Sequence, residues 1–202
     1  MAPKVYIAGR DEIPRKVSLG AGEELDILFV VFPGADCSIE VDVDLCGPGA
    51  DAQIRGLYLA TGNQKVDIAL DVRHSAGGCH SRQLVKGIAS GSARANFYGR
   101  IYVAQDAQKT KAYQENHNIL ASEKAKIGTK PQLEIYADDV ECSHGATIGR
   151  LNEDEQFYMR SRGIPEAEAR VLQMISFLAP VAGLLPEDLA NQVYESLSQC
   201  QD

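Results

Sequence analysis

The sequence predicts a mainly β region over residues 1–150, followed by a small helical region over residues 151–202. Apolar residues alternate with polar ones in several runs, and glycine-rich turns separate those runs at even spacing. Composition then changes near Arg150. Sixteen of the 18 glycines precede it, and net charge is −2 over residues 1–150 but −6 over 151–202.

Ser38 to Leu45 alternates strictly, with Ile39, Val41, Val43 and Leu45 on one face. Val66, Ile68, Leu70 and Val72 repeat the pattern, as do Phe97, Gly99, Ile101 and Val103. Such alternation sets one face on a core and the other toward water. Turn chemistry recurs at Pro33-Gly34, Gly47-Pro48-Gly49, Gly62-Asn63, Gly77-Gly78 and Gly91. Evenly spaced strands without intervening helices describe a sandwich, a barrel or a β-solenoid. The repeat of Gly34-Ala35-Asp36 as Gly49-Ala50-Asp51 hints at stacked coils. Missing Asn-Gly and Asp-Gly hairpin signals point the same way.

Past Arg150, Asn152 and Glu155 make a capping-box-like helix start, and Gly163 suits the helix end near Arg162. Pro165 opens a second helix, with Val171, Met174, Ile175 and Leu178 as its apolar stripe. Pro180 is expected to stop it. Pro186 opens a third, with Leu189, Val193 and Leu197 on one face.

Composition excludes several functions. The formal charge of −8 argues against nucleic acid as the main partner. The longest dense apolar stretch, residues 25–33, is too short to span a membrane. The first residues lack an apolar signal core, so a cytoplasmic location is expected. Five cysteines, an odd number with no CxxC spacing, read as reduced thiols rather than a disulfide framework or zinc finger. Gly20-Ala21-Gly22 is a turn, not a nucleotide fingerprint, and neither GxSxG nor HExxH occurs.

The segment Val140-Glu141-Cys142-Ser143-His144-Gly145 carries the most chemistry. If it is extended, Cys142 and His144 share a face about 7 Å apart at Cβ. A thiolate and an imidazole at that separation supply two ligands to iron or zinc, the others coming from a second strand or chain. The competing reading makes Val140, Cys142, Ala146 and Ile148 a core face. Asp138-Asp139 reads as a turn between strands. Cys79 and His80 diverge on one strand, Cys37 and Cys46 read as small core residues, and Cys200 as frayed terminus. Arg94, Arg100, Lys109 and Lys111 read as a solvated face.

Longer motifs carry a resemblance. The runs Ala93 to Ile101, Ala107 to Thr110, Tyr113 to Asn116, Lys130 to Thr147, Asp154 to Tyr158 and Arg160 to Ile164 are similar to the core of the SufB/SufD family. The Cys-Ser-His-Gly form resembles SufD rather than SufB. The resemblance implies a right-handed parallel β-helix followed by a small C-terminal helical subdomain. It also implies a non-enzymatic scaffold role in iron–sulfur cluster assembly. In that family SufB and SufD pair through their β-helices, and C-terminal helices dock the ABC ATPase SufC. Cys142 and His144 would then bind a nascent Fe–S cluster or iron, transiently and shared with a partner chain. Phe157, Tyr158, Arg160 and Arg162 are the candidates for the ATPase contact. Alternatively, Phe157 and Tyr158 seal their helix against the β-core. The chain is shorter than family members commonly are, so pairing with a SufB-like chain or with itself is expected. Two other classes stand beside this one: a homo-oligomeric adaptor binding no cluster, and a polysaccharide-active β-helix enzyme using Asp138 and Asp139.

Overall fold

The computed structural model describes residues 2–200. Eleven strands wind into a parallel β-solenoid: β1 Lys4–Ile7, β2 Lys16–Leu19, β3 Glu24–Val31, β4 Cys37–Leu45, β5 Asp51–Ala60, β6 Lys65–His74, β7 His80–Ala89, β8 Arg94–Val103, β9 Lys111–Leu120, β10 Lys126–Ile135 and β11 Glu141–Gly149. Odd-numbered strands form one six-stranded sheet, and even-numbered strands form a five-stranded sheet opposite it. Every pair is parallel. Each coil takes about 30 residues, as when Asp51 lies beside His80 and then Lys111. The 15-residue glycine repeat is therefore half a coil, and its two copies lead into opposite sheets.

The alternating faces read from sequence line the solenoid interior. Ile39, Val41 and Val43 stack on Ile68, Leu70 and Val72, Leu45 stacks on His74, and all are buried. At the turns Gly49, Gly62, Gly78 and Gly91 have positive φ, a conformation that a Cβ would penalise and glycine adopts freely. Two interior glycines do different work. A Cβ at Gly56 would lie 2.2 Å from the Phe29 ring, and one at Gly87 would lie 1.9 Å from the Tyr58 ring. In each case the aromatic sits beside the glycine one coil on and fills the space it leaves.

The apolar stretch over residues 25–33 belongs largely to β3, which is buried on both faces. Ile27, Phe29 and Val31 face the interior, while Leu28 and Val30 pack with the helices. Those helices are α1 Glu153–Ser161, α2 Glu166–Ala182 and α3 Glu187–Ser196, ending in a 3-10 turn at Leu197–Cys200. Asn152 caps α1 by accepting from the backbone N–H groups of Asp154 and Glu155, and Gly163 has φ +89° just past its end. Met174, Leu178, Val181, Leu189, Val193 and Leu197 cover Leu57, Leu59 and Ile88 on the outer face of the six-stranded sheet. Lys86 Nζ adds a bond to the Phe177 carbonyl at 2.8 Å.

Three expectations need correction. Helix α2 does not stop at Pro180 but continues to Ala182. The proline lacks one N–H, and full burial of Val181 and Ala182 holds the last turn in place. Cys200 is buried rather than frayed, because the 3-10 turn presses it into the helix–sheet core, and burial raises its thiol to about 11. Cys46 is exposed, its thiol donating to the Leu19 carbonyl at a turn.

His74 is buried inside the solenoid, with Nε2 2.8 Å from Ser81 Oγ. Burial, with His80 nearby and against the pull of Asp44, lowers its pKa from 6.5 to about 4. The unfolded chain therefore takes up this proton as pH falls through 6.5, whereas the folded chain resists until about 4. Stability falls across that window by about 3 kcal/mol from this group. Urea unfolding at several pH values checks it, and a His74→Gln variant should lose that share of the dependence.

Candidate functional site

Strands β10 and β11 end the two sheets on the same side, and their coil is open. One coil earlier the interior residues Gln114 and Asn116 are fully buried. Next to them in register stand His144 and Ala146, both exposed, and Cys142 beside Ala112 is half-buried. Across the opening, Ile127, Thr129, Pro131 and Leu133 are also only partly covered. As an edge strand, β11 presents one row of backbone N–H and C=O groups with no neighbouring strand among the described residues. Apolar surface surrounds the opening: Ile135, Tyr136 and Ile148 are 39%, 58% and 43% exposed.

Cys142 and His144 thus point into the same open coil, as alternation along the strand requires. The core-face reading fails beyond Cys142, since Ala146 and Ile148 lie at the opening. Burial raises the Cys142 thiol pKa, partly offset by a hydrogen bond from the Ala112 backbone. A metal binding there must therefore displace a proton. The outer face of β11 is tied down by Lys111 Nζ to Glu141 at 3.0 Å, Tyr113 Oη to Glu141 at 3.1 Å, and His117 Nδ1 to Thr147 Oγ1 at 2.9 Å. A thiol and an imidazole on a strand so held, with space in front, suit iron as two of its ligands. Among the described residues no group of three or more His, Cys, Asp or Glu side chains is placed to hold a metal ion. A metal held there would take its remaining ligands from outside this set.

The interior beneath the site is polar, which sequence reading missed. Gln83, Gln114, Asn116 and Asn118 are buried in the last closed coils. Tyr58 Oη donates to Asn118 Oδ1 at 2.7 Å, while Gln114 Oε1 and Thr129 Oγ1 are buried without partners. The signal was present as alternate Gln114, Asn116 and Asn118 in β9, a period-two run of amides rather than of apolar residues.

The helical candidates lie apart on α1 and just beyond it. Phe157 is 73% and Tyr158 59% exposed, so neither seals the helix against the β-core. Arg160 pairs with Glu166 at 3.3 Å, and the Arg162 guanidinium stands 5.2 Å from the Tyr158 ring centre. Tyr158, Met159, Leu172 and Phe177 help line a groove of about 710 Å³ between α1, α2 and the sheet. Asp138 and Asp139 form the expected turn, with the Asp139 backbone bonded to Gln108 and Lys109.

Residues 15–177 match the family described as SUF system FeS cluster assembly, SufBD core domain. The chain belongs to the SufBD family. It is 41% identical over 167 residues to the iron-sulfur cluster assembly protein SufD of Escherichia coli, covering 82% of this chain and 40% of that one. A SufBD family protein of Synechocystis is 44% identical over 134 residues, covering 64% and 29% respectively. SufD of Bacillus subtilis is 30% identical over 172 residues, covering 85% and 39%. The chain thus spans less than half the length of these SufBD relatives. No helix among the described residues is long and apolar enough to cross a membrane.

Proposed function

We propose that this chain is a non-enzymatic scaffold in iron–sulfur cluster assembly, pairing end to end with a SufB-like chain or a second copy. The carrying observation is the open last coil, which leaves His144 exposed and Cys142 half-buried beside an unpaired strand edge and exposed apolar residues. A closed solenoid would bury that edge. An open one is completed by another solenoid end, whose donors fill the coordination that Cys142 and His144 leave unfilled. The nascent cluster or iron is cargo here, bound transiently and shared between chains. The membership in the SufBD family supports the same reading.

The helices carry the second contact. Phe157 and Tyr158, with Arg160 and Arg162 beside them, present aromatic and cationic groups of the kind that dominate protein interfaces. We assign them to docking of a SufC-like ABC ATPase in the cytoplasm. Affinity purification of the full chain from its host should retain such an ATPase. A Phe157→Asp/Tyr158→Asp variant should lose it by about tenfold or more, which corresponds to at least about 1.4 kcal/mol. Equal retention by the variant, or no ATPase with the unaltered chain, would contradict this docking.

A further inference from the structure

Gln83 of β7, Gln114 of β9 and His144 of β11 are consecutive rungs of one interior column. Gln114 Nε2 donates to Gln83 Oε1 at 2.7 Å, and both residues are fully buried. That bond leaves Gln114 Oε1 buried without a partner on the side of the next rung, and Gln83 Nε2 likewise at the other end of the pair. An unsatisfied buried amide oxygen costs about 1–3 kcal/mol, so the arrangement calls for a donor on the next rung. Gly99 of β8 holds the amide from the other side, since a Cβ there would lie 2.5 Å from both Gln114 Nε2 and Oε1. The amide is wedged against bare backbone and has little room to swing away.

Parallel strands in register bring side chains of neighbouring rungs within hydrogen-bond reach, which is how glutamine ladders form. His144 occupies the next rung and is exposed, so its ring is free to turn toward the bare oxygen. We propose that Gln114 is a positioning residue for His144: its Oε1 accepts one imidazole N–H and leaves the other ring nitrogen's lone pair facing the open end. This rests on the reading of His144 as a cluster or iron ligand. A neutral imidazole binds metal through the nitrogen without a proton, and the bond made by the other nitrogen decides which that is.

The test is two-bond proton–nitrogen NMR of the metal-free full chain, at a pH where imidazoles are neutral. One tautomer of His144 should dominate, beyond the preference of free histidine. Gln114→Leu should move the ratio to that of free histidine, and Gln114→Glu, which keeps an acceptor, should restore it. With ferrous iron as probe on the paired assembly, Gln114→Leu should weaken binding by about 10- to 100-fold. A His144 ratio in the unaltered chain equal to that of free histidine overturns the proposal, and does so even if the leucine variant fails to fold. A ratio unmoved by Gln114→Leu overturns it too. A locked tautomer that Gln114→Leu releases, with no iron bound by the unaltered assembly, upholds the positioning and removes the ligand role instead.

Discussion

Replacing Gly87 by valine should destabilise the chain by about 3 kcal/mol, near the upper end of overpacking costs. The Tyr58 ring lies where the new Cβ would stand, at 1.9 Å from its Cε1 and Cζ. Tyr58 cannot simply rotate out, because it is fully buried and its hydroxyl is bonded to Asn118 two rungs away. Moving it would break that bond and leave the Asn118 amide oxygen with fewer partners in a place water does not reach. Valine elsewhere in a strand usually favours β structure, so propensity alone predicts the opposite sign. A urea midpoint unchanged in Gly87→Val would show that the interior repacks more freely than this stacking allows. A Gly87→Val/Tyr58→Ala double variant, with the ring removed, should recover part of the loss.

The second large effect concerns the site. In a host depending on this chain, a Cys142→Ser/His144→Ala variant should lose cluster maturation, measured as activity of an iron–sulfur reporter enzyme. It should do so while keeping its unfolding free energy, measured by urea titration, within about 1 kcal/mol of the original, because both side chains lie on the open last coil where truncation leaves no closed cavity. Each single variant should fall between, since on the proposed reading each residue supplies one ligand of a shared set. Full maturation in the double variant would remove the ligand assignment and leave the scaffold role standing on the edge and helices alone.

Much of this fold was legible in sequence where one strand face meets water. Strands β4, β6 and β8 alternate because their outer faces are solvated, so the period of two survives. The six-stranded sheet is harder to read. Helices cover part of its outer face, so Leu57 to Ala60 runs apolar on both sides of β5 and the alternation disappears. The choice between sandwich, barrel and solenoid depends on which distant strand lies beside which, and alternation within one strand does not report that. Gly56 and Gly87 carry no local signal either. Their reason is an aromatic ring one coil away.

The site divides in the same manner. That Cys142 and His144 share a face follows from strand geometry and was read directly. That this face belongs to an open coil follows from the stacking order, which places β11 last. The column under His144 was missed because it is built from Gln83 and Gln114, residues 31 positions apart. Phe157 and Tyr158 left two readings open in sequence, and their exposure removes the sealing one.

On the proposed reading, this open end completes an iron site only with another chain. Ferrous iron and sulfide titrated anaerobically into the purified chain, alone and with a co-expressed SufB-like partner, test it most directly. Thiolate-to-iron absorption should be weak for the chain unpaired, strong once it is paired, and lost from the paired sample in Cys142→Ser/His144→Ala. Absorption of equal strength with and without a partner, or undiminished in that variant, would contradict the account.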